Sequence, residues 1–353
     1  MISFPQTSSC ESSIERLRAS LGSRVTLVGH HYQQEAIVRH CDFRGDSLEL
    51  ARRVPHIDSP HIVFCGVYFM GESAALLARE GQQVHLPELS ADCVMARMAP
   101  ATLLDRVLAR LTASGRKLIP LAYVNTSLDV KGVVGRYGGA VCTSANAEQM
   151  LRWALDQGDG VLFLPDRNLA RNTAAVMGIP EKDIYQLDIR QRGENIDVSA
   201  ADHASLVLWP GLCSIHARFS AAQIEAVRKA DPSCRVIVHP ECAPEVVKAS
   251  DAAGSTSYII KYVESAPEGS HICIGTEINL VQRLQQQYAG RLRVEPLRAS
   301  ACSHMARVTP EKLLATLTGI ENGTARPVTV NPAVREPAKT AIERMLEACA
   351  PSR

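Results

Sequence analysis

One pattern constrains the fold of this chain more than any other. A strand end, a hydroxyl-bearing loop before a helix, a second strand and a loop closed by a cysteine follow one another in that order three times. The first copy runs from VTLVGH, ending at His30, through GDS (Asp46, Ser47) and a strand closing at Cys65-Gly66, to SADC at Cys93. The last runs from RVIVH at His239 through GST (Ser255, Thr256) and HICIG at Gly275 to RASAC at Cys302. His30 to Cys93 and His239 to Cys302 are each 63 positions. The middle copy runs from YVN (Tyr123, Asn125) through CTS (Thr143, Ser144) and LPD (Asp166) to PGLC at Cys213, and is 27 positions longer. Most of that surplus lies between Asp166 and Cys213. Self-similarity of this kind marks one supersecondary unit used repeatedly.

The unit itself is α/β. Short apolar runs (RVTLVGH, HIVFCGV, KLIPLAYV, GVLFLP, RVIVHP, HICIG) read as buried strands, and DSLELARRV, ESAALLARE, NAEQMLRWALDQG and EINLVQRLQQQ read as the helices between them. That alternation predicts parallel pairing, and the shortness of the runs predicts several small sheets. The expected architecture is three homologous small α/β domains with short parallel sheets around a pseudo-threefold axis, with a central active site. Their expected spans are 1–105, 106–217 and 218–306, with the segment 307–353, including the helical AKTAIERMLEACA, packed on the first.

Composition narrows the function classes. Lysine plus arginine (38) nearly balance aspartate plus glutamate (37), so there is no basic footprint for nucleic acid, and an anionic ligand must be held by local groups. The start, MISFPQTSSCESS, has neither the basic nor the apolar region of a signal peptide, and no apolar run reaches membrane-spanning length. The expectation is a cytoplasmic protein without membrane contact. Eleven cysteines, an odd number, with no CxxC pair, argue for reduced thiols and against a local metal knuckle. Any metal site must gather cysteines from distant segments.

Cys93, Cys213 and Cys302 are the cysteines that the repeat singles out, each after a strand end and before CVMAR, CSIHARF or CSHMARV. Ligands of open parallel sheets bind beyond the carboxyl ends of the strands, so three equivalent cysteines would face a common axis. Three thiolates can hold zinc with a water, or an iron-sulfur cluster with one iron left open as a Lewis acid; the repeat does not choose between them. Cys65, Cys142, Cys234 and Cys273 lie in or beside apolar strands and read as core residues. Cys10 and Cys349 have no evident role, and Cys242 stands next to Glu241.

Polar residues cluster at the same strand ends. The hydroxyls of GDS, CTS and GST fall at helix N-termini, where they either cap the helix or help it bind a carboxylate or phosphate. His30 and Tyr32 in GHHYQ project to one side, as do His239 and Glu241 in HPEC. Glu241 suits a general base, and Tyr32 and Tyr123 suit proton donors or acceptors. His216, three residues after Cys213, suits a donor beside the metal or a substrate contact. The turn Asp166-Arg167-Asn168 reads equally as a site element or a loop brace.

Taken together, GHHYQ, GDSLELAR, DCVMA, YVNTS, CTSANA, PDRNL, GLCSIH, HPEC, GSTS, IGTE and CSHM resemble the quinolinate synthases, in the family order over residues 25 to 306. The resemblance implies a triangular protein of three homologous domains with a [4Fe-4S] cluster at its centre, held by Cys93, Cys213 and Cys302. It implies condensation of iminoaspartate with dihydroxyacetone phosphate to quinolinate, with loss of phosphate and two waters, in NAD biosynthesis. A functional link to the enzyme supplying iminoaspartate also follows. Glu241, Tyr32 and Tyr123 resemble the family's acid and base candidates; His30, Ser47, Asn125, Ser144, His239, Ser255 and Thr256 resemble its substrate contacts. Two features depart from the family: valine follows the cysteine in DCVMA where many members have proline, and RASACSHM lacks the CxxCxxC run of some members. Two other readings use the same residues: an iron-sulfur hydro-lyase acting on a hydroxy acid, and a non-catalytic iron or redox sensor.

Overall fold

The computed structural model describes residues 6–350. Every apolar run named above becomes a strand, and the strands assemble into three separate, all-parallel sheets. The first contains β1 (Val25–His30), β2 (Phe43–Gly45), β3 (His61–Cys65) and β4 (Gln83–His85) in the order β2-β1-β3-β4. The second contains β5 (Leu118–Tyr123), β6 (Ala140–Cys142), β7 (Gly160–Leu164), β8 (Ile184–Gln186) and β9 (Leu206–Leu208) in the order β6-β5-β7-β9-β8. The third contains β10 (Arg235–Val238), β11 (Ala252–Ala253), β12 (His271–Gly275) and β13 (Arg293–Pro296) in the order β11-β10-β12-β13. Setting β8 aside, the three orders are the same, so the repeat in sequence is a repeat in topology. The surplus of the middle copy is accounted for by β8, a tight turn at Arg190–Gly193 and the helix Val198–His203.

Residues of β1, β5, β7 and β12 are buried throughout, as expected for parallel strands covered on both faces. The chain divides into two compact units. One comprises the chain up to Cys93 with Glu277–Arg283 and Ala301–Val330, and contains the first sheet; the other comprises Val94–Thr276, Leu284–Ser300 and the chain from Asn331, and contains the second and third.

The C-terminal segment differs from expectation. Its first helix, Pro310–Glu321, packs on the helix Gln6–Leu21 of the first unit, but its second, Pro332–Ala348, packs on Leu128–Arg136 and β6 in the second unit. The cause is a close backbone approach: a Cβ on Gly135 would lie 1.9 Å from the carbonyl oxygen of Pro337. Arg344 donates to the carbonyls of Gly135 (3.3 Å) and Gly139 (2.7 Å), closing the contact. Among the described residues no disulfide forms, and no helix is long and apolar enough to cross a membrane.

Candidate active site

Because each sheet is parallel, its loops of one kind gather at the carboxyl ends of its strands. In the second unit this brings Tyr123 (end of β5), Ser144 (after β6), Asp166 (after β7), Cys213 (after β9), and His239 and Glu241 (after β10) into the same group as His216. Glu241 is its centre and only 3% exposed. Its carboxylate lies 2.5 Å from Nδ1 of His216 and accepts a hydrogen bond from Tyr123. Burial opposes its charge, but the adjacent His216 and His239 and those hydrogen bonds outweigh burial and hold its carboxyl down at about 2. Asp166 is pushed the other way, well above the usual carboxylate range, first by burial and then by the charge of Glu241. The fold therefore keeps one ionised carboxylate here and disfavours a second.

The histidines are oriented by what their nitrogens touch. His216 places Nε2 3.1 Å from Oγ1 of Thr276 and stacks on His239, with ring centroids 4.4 Å apart. Nδ1 of His239 accepts the backbone N–H of Glu241 (3.3 Å), so the ring carries its proton on Nε2, 3.3 Å from Oγ of Ser144. Burial, then the neighbouring His216, lowers His239 to about 3, which makes it a neutral donor at ordinary pH. The first unit repeats the device: Nδ1 of His30 accepts the N–H of Tyr32 (3.1 Å), and the two rings meet edge to face at 4.9 Å. His30, Tyr32, Ser47, Cys93 and Cys302 all belong to this first unit.

The hydroxyl loops divide between capping and other work. Asp46, not Ser47, caps the helix Ser47–Arg53, in a reciprocal box with Glu49. Asn146 braces Thr143, leaving Ser144 turned to His239. Ser255 does cap, accepting from Tyr258 N–H at 3.3 Å, with Thr256 buried beside it as the first helical residue. Asn125 is half-buried in the loop after β5.

Cys93, Cys213 and Cys302 are half-buried, whereas Cys65, Cys142, Cys234, Cys242, Cys273 and Cys349 are buried. Each of the three donates its backbone N–H to a carboxylate: Asp92 (2.7 Å), Asp166 (3.0 Å) and Glu277 (3.3 Å) respectively. Burial raises Glu277 to about 7. Among the described residues, two sets have ligand atoms all within 4.8 Å of one another and could hold a metal ion: Cys213, His216 and Glu241, and separately Cys234, His271 and Cys273.

Several residues position the site, and of these only Asn168, in the turn Asp166-Arg167-Asn168, is singled out by the sequence. Asn168 donates to the carbonyl of Glu241, and Asn172 to those of Pro240 and Cys242, which fixes the HPEC loop. Asn279 donates to the carbonyl of Tyr32, and Arg283 to those of His31 and Gln33 and to Glu35, which fixes the GHHYQ loop. The register is the same in both copies: an acid two residues beyond the strand (Asp166, Glu277), asparagine two further on, and a loop-binding donor six further on. Lys131, fully buried, donates to the carbonyls of Val124 and Thr126 and braces the YVNTS loop. Beyond the turn Asp166-Arg167-Asn168, the sequence signal for these residues is the recurrence of an acid at LPD and IGTE.

A family model described as quinolinate synthetase A protein matches residues 12–347. Among curated proteins, the quinolinate synthase of Corynebacterium glutamicum is 43% identical over 343 residues, covering 94% of this chain and 86% of that protein. That of Streptomyces coelicolor is 41% identical over 344 residues (94% and 87%), and that of Bacillus cereus 42% over 346 residues (97% and 94%).

Proposed function

The chain belongs to the quinolinate synthetase A family, enzymes of NAD biosynthesis, and we propose from this that it condenses iminoaspartate with dihydroxyacetone phosphate to give quinolinate, phosphate and two waters. The observation that carries the reading is the buried Glu241, ionised between two histidines and Tyr123 and within reach of Cys213. That arrangement suits repeated proton transfer next to a metal.

Cys93, Cys213 and Cys302 fit a [4Fe-4S] cluster by donor chemistry: three half-buried thiols, each on a loop whose amide is tied to a carboxylate. When bound, the cluster supplies a Lewis acid at the iron lacking a protein ligand. The protein's own residues do the rest. Glu241 accepts a proton from the condensing substrate, and Tyr123, hydrogen-bonded to it, returns one to a departing hydroxyl. Neutral His239 and Ser144 donate hydrogen bonds to a carboxylate of iminoaspartate, and His216 holds Glu241 in place. His30 and Tyr32 present a second donor pair of the same design. Ser47, Asn125, Ser255 and Thr256, at or near helix starts, anchor the remaining carboxylate and the triose phosphate, where backbone N–H groups favour anions. We read the chain as three domains, 1–105, 106–217 and 218–306, working in the cytoplasm with an enzyme that supplies iminoaspartate.

The test is an anaerobic assay with iminoaspartate generated in place. Quinolinate and phosphate should appear one to one and only when dihydroxyacetone phosphate is present. Consumption of a hydroxy acid without the triose, or metal binding with no turnover, would replace this reading with a hydro-lyase or a sensor.

A further inference from the structure

The second metal-competent set lies at the opposite end of the third sheet from Glu241. Cys234 immediately precedes β10, His271 opens β12, Cys273 is two residues further along it, and Glu295 is in β13. The register pairs Val236 with Cys273 and Cys273 with Glu295, and places Cys234 beside His271. Side chains alternate along a strand, so these four residues share one face of three adjacent strands, near their amino ends. Backbone pairing alone therefore brings two thiols, an imidazole and a carboxylate together.

The side-chain geometry agrees. The sulfur of Cys273 is 3.7 Å from Nε2 of His271 and is hydrogen-bonded to Cys234, and Nε2 of His271 is 2.9 Å from the Glu295 carboxylate. Nδ1 of His271 is 2.7 Å from Asp231, which also accepts from the N–H (2.9 Å) and hydroxyl (2.6 Å) of Ser233. A carboxylate on the far nitrogen of a histidine is what orients that ring as a metal ligand. Cys234 and Cys273 are 3% exposed and His271 8%, while Asp231 and Glu295 reach the surface. A cavity of about 640 Å³, lined among others by Ser233, Arg235, Tyr262, Ser270 and His271, opens beside His271.

We propose that Cys234, His271, Cys273 and Glu295 form a second metal site that binds one zinc ion, with Asp231 orienting His271. Two sulfurs, one nitrogen and one oxygen make a closed tetrahedral set, the arrangement of a structural zinc site. On binding, each thiol releases its proton to solvent and each sulfur gives an electron pair to the ion; no oxidant is needed. The site would tie the amino ends of β10, β12 and β13 together in a domain whose edge strand β11 is only two residues long.

The test uses cluster-loaded full-length protein with zinc(II) as the probe. One zinc per chain should bind, with an X-ray absorption shell of sulfur at about 2.3 Å and lighter atoms at about 2.0 Å. Cys234→Ser and Cys273→Ser should each abolish stoichiometric binding without lowering iron content, and Asp231→Asn should weaken it roughly 10- to 100-fold. Should a cysteine variant fail to fold, Glu295→Gln, at a partly exposed position, should still weaken zinc binding and reduce the zinc-dependent rise in thermal midpoint. A shell without sulfur, no bound zinc, or unchanged binding in the foldable variants would overturn the proposal.

Discussion

Replacing Glu241 by glutamine separates its chemistry from its packing. The side chain keeps its shape but loses the charge that faces His216 at 2.5 Å and accepts from Tyr123. A hydrogen bond involving a charged group contributes about 1.5–3 kcal/mol, and breaking a buried pair costs about 3–5 kcal/mol when the remaining charge is stranded. A glutamine oxygen can still face Nδ1 of His216, and Thr276 stays in contact with its other nitrogen, 3.1 Å away, so the lower range applies to folding. Loss of a general base costs about 10²- to 10⁴-fold in rate, roughly 3–5 kcal/mol of barrier. The effect on turnover should therefore exceed the effect on stability. Anaerobic quinolinate formation, iron and sulfide content and thermal unfolding should be measured on one preparation. The variant should keep a full cluster and show a modest fall in stability with at least a hundredfold loss of turnover. Turnover within a few-fold of the parent would remove Glu241 from proton transfer, and loss of the cluster would make it structural.

Other consequences are as direct. Arg283→Lys removes the planar fork that holds His31, Gln33 and Glu35 together; the cluster should be retained while turnover falls about tenfold or more, read in kcat and KM against the parent. Gly135→Ala gains about 1 kcal/mol of helix propensity but drives a Cβ into the Pro337 carbonyl, so stability should fall by about 1–3 kcal/mol in denaturant unfolding. Burial, followed by the charge of His61, lowers folded His85 to about 4, so between about 6.5 and 4 the unfolded chain binds a proton that the folded chain does not. Its contribution is complete above that window and is lost as pH falls through it, by at most about 3 kcal/mol, and His85→Gln should flatten that part of the stability profile.

What was legible in the sequence follows from what has a period or a fixed spacing. Alternating apolar runs and helical patterns gave the three sheets, and the shared spacing of His30–Cys93 and His239–Cys302 matched their common strand order. The surplus in the middle copy marked an insertion but could not show that it adds the edge strand β8, because IYQ is too short to carry a pattern. The helix Pro332–Ala348 announced its apolar face, not the surface receiving it; that is decided by the side-chain-free Gly135 on another helix. Within the site, residue type revealed groups suited to chemistry, such as Glu241 and His239. It named Asn168 in a turn that could brace a loop but did not reveal Asn172, Asn279 or Lys131, because a donor to a backbone carbonyl looks like any polar residue until the loop it holds is in place. The GDS loop shows the same limit, since either Asp46 or Ser47 could have capped the helix and the structure uses Asp46.

The proposed function requires that Cys93, Cys213 and Cys302 together hold one cluster and leave one iron for substrate. Iron and sulfide analysis of anaerobically purified protein, with each cysteine changed singly to serine, tests it most directly. The parent protein should carry about four irons and four sulfides per chain, lost in Cys93→Ser, Cys213→Ser and Cys302→Ser and kept in Cys65→Ser and Cys242→Ser. A full cluster surviving in any of the first three would contradict it.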